Sequence, residues 1–319
     1  MTMQELAQLA NVSVSTVSKA FSGAPDVSAE TREHVFAVAR QQGCFGKFQK
    51  EKYGKKTIAI ICHEMDGGYY TIYMEQLQRL VEADGGICLI STDHFDCRKQ
   101  AELVEYYASF LQVDGLIVFS LAEPLKKGYD VPIVSLFSSK DPRVDSVNTD
   151  MPLAIGEAVD TLLEYGHREI AFIGEPLTRT KADAFEAAIR RAKNVSGTVV
   201  ESACRFEEAG IDGVEQLLAQ GAPFTAIVCA YDYIAFGAMK RLQENGCRIP
   251  EDVSLIGMDN ISTARYAQTS LTTIDTQPEE MCAIAWELLR KKMDNKYFRA
   301  RQSISIKPQL ILRDSIGKR

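Results

Sequence analysis

Between Asn11 and Gly23 the chain reads NVSVSTVSKAFSG, an unusual density of short hydroxyl side chains around three valines and one cation. On a helix these groups suit a duplex groove. Apolar atoms meet thymine methyls and hydroxyls meet base edges, while cations and hydroxyls hold phosphates without reading sequence. Val14, Ser15, Ser18 and Lys19 are expected on the exposed face, and Ser13, Thr16 and Lys19 are placed for phosphates. Taken singly, each serine or threonine is as well explained as a cap or a surface residue. The charge distribution argues for the polyanion. Residues 1–56 hold 8 basic and 5 acidic residues, net +3, whereas the remainder holds 28 and 38, net −10. A basic head on an acidic body binds a polyanion locally and leaves the bulk soluble. Because +3 is modest, a homodimer is expected to double the footprint on a pseudo-palindromic duplex.

A second set of chemical groups lies far downstream, at the ends of apolar runs. It comprises His63, Glu64, Asp66, Tyr69 and Tyr70; Phe137; Arg179 and Lys181; Tyr231 and Asp232; Asp259 and Asn260; and Asp275. Such a mixture offers acceptors and donors for hydroxyls and aromatic faces for C–H surfaces, the requirements of a sugar or polyol. Arg179 and Lys181 equally permit a phosphorylated or carboxylated ligand, although solvated charge at a helix start explains them too. Asp232 and Asp275 are either ligand contacts or helix caps, and His63 either a contact or a satisfied polar rim. Catalysis has thin support. Dinucleotide, phosphate-loop, nucleophile-elbow and HExxH motifs are absent, so no enzyme and no cofactor is expected. A carbohydrate-active enzyme is the minority alternative. His63, His94 and Cys97 lack the spacing of a metal site, and the eight scattered cysteines read as small buried apolar groups in a reducing cytoplasm.

The elements that must position these residues follow from caps and periodicity. Thr2 and Glu5 form a capping box ahead of a short helix. A second helix starts near Ser13, Ser22 to Asp26 is a loop, and Ser28 caps a third helix over Ala29–Gln42. The expected core of this head is Leu6, Leu9, Ala10, Val17, Val35 and Val38. From Thr57 onward, short apolar strands alternate with helices, and the rhythm restarts after Asp150. This is an α/β fold: a two-lobed body of doubly wound parallel sheets, with a ligand cleft expected at the carboxyl ends of the strands. One final extended run is expected over Ser303–Leu312. No apolar run is long enough to span a membrane, and the N-terminus lacks the apolar core of a signal peptide.

The segments L9-A-N-V-S-V-S-T-V-S-K-A-F-S-G and V27-S-A-E-T-R-E-H-V closely resemble the head of the lactose repressor family of bacterial transcription regulators. Further matches are E164-Y-G-H-R-E-I-A-F-I-G, R248-I-P-E-D-V-S-L-I-G-M-D-N and L271-T-T-I-D. The resemblance implies a helix-turn-helix domain (1–43), a hinge (44–56) and a periplasmic-binding-protein-like effector and dimerisation domain (57–312). The first lobe of that domain is expected over about 57–150 plus 276–300, and the second over about 151–273 plus 301–312. The implied function is a DNA-binding regulator, a repressor switched by a small carbohydrate-like effector. Val14 and Ser15 fall where the family reads bases, and Lys19 stands where arginine is usual, which loses the bidentate fork. Tyr53 occupies the place of the leucine that wedges into the minor groove, and Lys50 that of a small alanine. Residues 48–53 therefore read equally as a wedge-bearing helix or as a basic linker. Among effector contacts, Asp259 matches a recurrent family position, Lys181 takes the place of an arginine and Tyr231 that of an asparagine. Dimerisation is expected along the helices near Tyr73–Leu80 and Met281–Trp286, with intra-lobe core as the alternative reading of those apolar positions.

Overall fold

The computed structural model describes residues 1–48, 55–295 and 300–319. Tyr53 and Lys50 lie outside the described residues. The head is three helices: α1 (Met3–Leu9), α2 (Val14–Ser22) and α3 (Ala29–Gln41). Each begins at a hydroxyl cap. Thr2 Oγ1 accepts the Glu5 amide at 3.2 Å while Glu5 Oε2 accepts the Thr2 amide at 2.7 Å. Ser13 and Ser28 accept the Thr16 and Thr31 amides at 3.0 and 3.1 Å. Gly23, at φ 72°, ends α2 in the left-handed conformation that a side chain disfavours.

The head core is Leu6, Ala7, Ala10, Val17, Ala20, Phe21, Val27, Val35, Ala39, Cys44 and Phe48. Leu9 departs from expectation: it is 54% exposed. It stands three residues from Leu6, but the inward face of α1 runs through Leu6, Ala7 and Ala10. Val38 is only partly buried against the core. Phe21, Phe36, Phe45 and Phe48 form one aromatic cluster with ring centroids 5.0–5.7 Å apart. Arg40 covers Phe45 at 4.7 Å. Residues 44–48 are thus built into the head.

The chain forms two compact units, Met1–Val147 with Cys282–Ser303, and Asn148–Met281 with Ile304–Arg319. In the first, the apolar strand β1 (Thr57–Cys62) pairs in parallel with β2 (Ile87–Thr92) and β3 (Gly115–Leu121), and β4 (Ile133–Ser139) and β5 (Asp145–Thr149) extend the sheet. Ile58, Ile60 and Ile61 are fully buried, each stabilising the unit by about 1.5–3 kcal/mol. Helix α4 (Gly68–Ala83) follows β1, and α5 (Cys97–Glu105) continues into a π-turn at Tyr106–Phe110.

The second unit repeats the scheme. In chain order come α6 (Met151–Glu164), β6 (Glu169–Gly174), α7 (Arg179–Arg191), β7 (Ser196–Glu201), α8 (Phe206–Gln220) and β8 (Ala226–Cys229). Then follow α9 (Asp232–Glu244), β9 (Ser254–Met258) and β10 (Thr272–Asp275), after which α10 (Pro278–Asp294) returns the chain to the first unit from Cys282 onward. The sheet orders are β11-β5-β4-β3-β1-β2 and β12-β10-β9-β8-β6-β7. The expected single run over Ser303–Leu312 is two strands, β11 (Ser303–Ile306) and β12 (Gln309–Ile311), one in each sheet, and β12 is antiparallel to β10.

In both sheets the strand order reverses beside the first strand of the repeat, between β1 and β3 and between β6 and β8. In an open α/β sheet, ligands bind at the carboxyl ends of strands next to such a reversal. His63 and Glu175 immediately follow β1 and β6. Of the two readings of the apolar positions in Tyr73–Leu80 and Met281–Trp286, the structure has core for the following. Tyr73, Leu77, Met281 and Cys282 are fully buried, and Trp286 is 6% exposed, its indole donating to Asp84 at 2.9 Å. Among the described residues, no helix is long and apolar enough to cross a membrane and no group of three or more His, Cys, Asp or Glu could hold a metal ion.

Candidate functional site

Helix α2 buries Val17, Ala20 and Phe21. That leaves Val14, Ser15, Ser18 and Lys19 exposed as one stripe, since positions four apart share a helix face. Val14 is 42% exposed, which costs free energy in water and suits an apolar contact in a groove. Ser13 and Thr16 are hydrogen-bonded to each other through their hydroxyls at 2.8 Å, besides the cap. Lys19 is ion-paired with Asp26.

At the strand ends of the first unit stands an aromatic wall. His63 is 7% exposed and its Nδ1 lies 2.9 Å from Asp93 Oδ1. A carboxylate only accepts, so Nδ1 donates and Nε2 is the ring's remaining polar atom. Asp93 is otherwise occupied by the Phe95 amide and the Gln100 side chain, at 2.9 and 2.7 Å. The imidazole stacks on Phe95 at 4.6 Å and meets the edge of Tyr70 at 5.6 Å. Phe137 touches Tyr69, Tyr73 and Phe119 at 4.9–5.7 Å. Phe95 and Phe137 hold left-handed backbone, φ 61° and 72°, unusual for bulky residues and typical of functional sites. Asp66 is exposed on the loop before α4.

The strand ends of the second unit carry a charged cluster. Lys181 Nζ donates to the Ala230 carbonyl at 2.7 Å and lies 5.9 Å from the Tyr231 ring. Desolvation pushes its pKa down, against the charges of Asp259, Asp232 and Glu175. Tyr231 donates to the buried Glu175 at 3.1 Å and accepts from the Phe206 amide at 3.1 Å. Arg205 approaches the same carboxylate at 3.6 Å.

Asp259 is 7% exposed, with φ 101°. Its Oδ1 is buried without a hydrogen-bond partner. Burial raises its pKa to about 7, with Lys181 opposing and Asp275 assisting. Asp275 accepts from Asn260 and from the Gln277 amide at 2.9 and 2.8 Å, and Asn260 in turn accepts from Arg313 at 2.6 Å.

Asp232 is fully buried and takes Thr273 Oγ1 and the Ile261 amide at 2.5 and 2.9 Å. Both its oxygens are occupied, and the absence of a Cβ at Gly257 leaves room for it. It holds the β9 and β10 ends in place. Arg179 departs from expectation. It is exposed and paired with Asp183 and Glu201 at 3.0 and 3.3 Å, not with the cluster. Lys181, two residues further along α7, is the cation brought in.

The family described as bacterial regulatory proteins, lacI family, matches residues 2–43, and the periplasmic binding protein-like domain matches residues 159–316. The chain joins a lacI-family head to a periplasmic-binding-protein-like domain. It is a DNA-binding transcriptional regulator with a periplasmic-binding-protein-like body. Similar proteins include the HTH-type transcriptional repressor PurR of Erwinia tasmaniensis, 28% identical over 99% of this chain and 97% of that one. The ribose operon repressor of Haemophilus influenzae is 29% identical over 99% and 98%. Among solved structures, a lac repressor dimer bound to operator and an anti-inducer matches 99% of both chains, with TM-score 0.72 and 21% identity. A lacI-family regulator from Enterococcus faecium with bound ribose covers 82% of this chain and 99% of its own, with TM-score 0.71 and 22% identity.

Sequence reasoning did not single out Phe95, Asp93, Glu175, Arg205 and Arg313, which the structure places in these two clusters. Phe95 was findable as an aromatic three residues beyond the β2 end. Glu175 follows β6 directly, but only its burial beneath Tyr231 gives it meaning.

Proposed function

We propose that this lacI-family chain acts as a homodimeric repressor on a pseudo-palindromic operator, with Val14 and Ser15 reading bases and Ser13, Thr16, Ser18 and Lys19 supporting them. Its effector is a neutral, hydroxyl-rich compound of the sugar class, contacted by Asp259, Asp275, Lys181 and Tyr231 of the second unit; in the first unit His63, Tyr70 and Phe137 are the candidate contacts. The observation that carries the choice of effector is Asp259 Oδ1, a buried acceptor with no partner. Such an atom costs about 1–3 kcal/mol until a donor reaches it, and a hydroxyl is that donor. The neighbouring cations are already committed: Lys181 to a carbonyl, Arg179 to surface carboxylates, Arg313 to Asn260. An anionic effector would meet Glu175, Asp259 and Asp275 instead, so the phosphorylated or carboxylated alternative has less support. The aromatic wall suits the C–H faces of a pyranose or furanose.

Calorimetric titration of the full chain with neutral mono- and disaccharides, their phosphates and the corresponding sugar acids tests this. A neutral sugar should bind at least tenfold more tightly than its charged counterparts. Tighter binding of a phosphate or an acid sinks the reading. Selection of bound duplexes from a random pool should enrich a two-half-site sequence. Ser15→Ala should then change the preference at particular bases, because base contacts specify whereas phosphate contacts position.

A further inference from the structure

The DNA-facing stripe of α2 contains one cation, and the head supplies that cation with its own anion. Lys19 stands four residues beyond Ser15 on the exposed stripe, and its ammonium is paired with the Asp26 carboxylate. Both side chains are about half exposed. Asp26 is placed by built structure. The Ala24 amide donates to the carbonyl of Lys19 at 3.0 Å. Arg32 then grips the loop through the carbonyls of Ala24 and Val27, at 2.7 and 3.4 Å, and Val27 is anchored in the head core. The loop following Gly23 therefore returns to the C-terminal end of the recognition stripe and delivers a carboxylate there. The Lys19 hydrogen bond holds that carboxyl below its ordinary range, so it is ionised at neutral pH.

We propose that Asp26 is a built-in attenuator of DNA affinity: it occupies the Lys19 ammonium as an internal stand-in for a phosphate, and DNA must displace it before Lys19 contributes. The proposal rests on the reading of α2 as the DNA-facing helix. Each phosphate neutralised by the protein releases counterions and steepens the dependence of log K on log salt by about 0.9. A lysine already neutralised by its own chain releases fewer. An exposed pair of this kind is screened by solvent and contributes little, so the attenuation is a few-fold. It acts on every duplex alike, because a phosphate contact carries no base information.

The test uses the full chain, a duplex enriched by the wild-type protein from a random pool, and a scrambled duplex of equal length, each titrated across a salt series. Asp26→Asn should tighten binding to both duplexes by about two- to fivefold and steepen the salt slope by about 0.9 per head. In a Lys19→Gln background the same change should give no such gain. Asp26→Ser serves as a second neutral replacement, and thermal melts establish that each variant head is folded. Unchanged affinity and slope in a folded Asp26→Asn or Asp26→Ser chain overturns the proposal. So does a gain that persists in full without Lys19, which would make Asp26 a plain repulsive charge. Failure of the wild type to enrich any duplex would instead overturn the DNA-facing assignment itself.

Discussion

At the scale of single residues, Asp259 has the strongest consequence. An ordinary aspartate ionises near pH 4, whereas burial holds this one to about 7. The folded state therefore keeps its proton across a window in which the unfolded chain has lost it. Stability from this group is fully present below the unfolded value and is lost as pH rises through about 7. Asp259→Asn keeps the shape and removes the titration. Its urea midpoint should fall less than that of the wild type between about pH 5 and pH 8, a difference on the order of 2–4 kcal/mol. Parallel pH profiles for the two proteins would show that Asp259 ionises normally. Residue types put Tyr231, Asp259 and Asp275 at or just beyond strand ends, where the structure also has them, because strand ends are legible from apolar runs. They did not separate Arg179 from Lys181. Two residues along a helix is a rotation of about 200°, and which of the two faces the cluster depends on how α7 packs against β6. Ser13 and Thr16 carried a similar ambiguity, since a hydroxyl that caps a helix and one that touches a phosphate are the same group in sequence.

At the scale of elements, the helix starts were the most legible feature. Thr2, Ser13 and Ser28 each stand where a cap oxygen is needed, and the structure uses all three. Side-chain destinations were less so. Leu9 fits an apolar stripe on paper, but a seven-residue helix has barely two turns with which to define one. Residues 44–48 read as linker because Gly43 and Gly46 interrupt them. Phe45 and Phe48, one helical turn apart, were the missed signal that the segment packs. In the second unit, α8 and α9 approach so closely that a Cβ on Gly237 would collide with the Glu207 carbonyl, and one on Gly210 with the Ile234 carbonyl. Backbone cannot step aside as a flexible side-chain tip can. Gly237→Ala should therefore destabilise the second unit by about 3 kcal/mol, seen as a lower urea midpoint. Gly221→Ala is a useful contrast. It meets nothing within 4 Å but sits at φ 62°, so only the smaller backbone penalty of about 1 kcal/mol applies. Equal effects at the two positions would contradict the close approach of α8 and α9.

At the scale of the whole molecule, a lacI-family head of modest charge on an acidic body limits how the effector can act. An effector shifts an equilibrium only through differential affinity for two states, and typical couplings are about 5–150-fold. Two heads on one pseudo-palindrome must meet half-sites about one helical turn apart or a multiple of it. Non-specific duplex makes no such demand, because phosphates recur everywhere along it. If the effector acts by changing how two heads are presented, it alters operator affinity and leaves scrambled-duplex affinity within about twofold. If it acts by unfolding a head or masking its charge, both affinities move together. The discriminating measurement is the ratio of operator to scrambled affinity with and without a saturating neutral sugar, at one fixed salt concentration. The expected result is a ratio that changes about 5–150-fold, carried almost wholly by the operator arm. Moving the half-sites apart by about half a helical turn should bring operator binding close to the scrambled level and remove the response to the sugar. A response that survives this displacement would show that each head is switched independently.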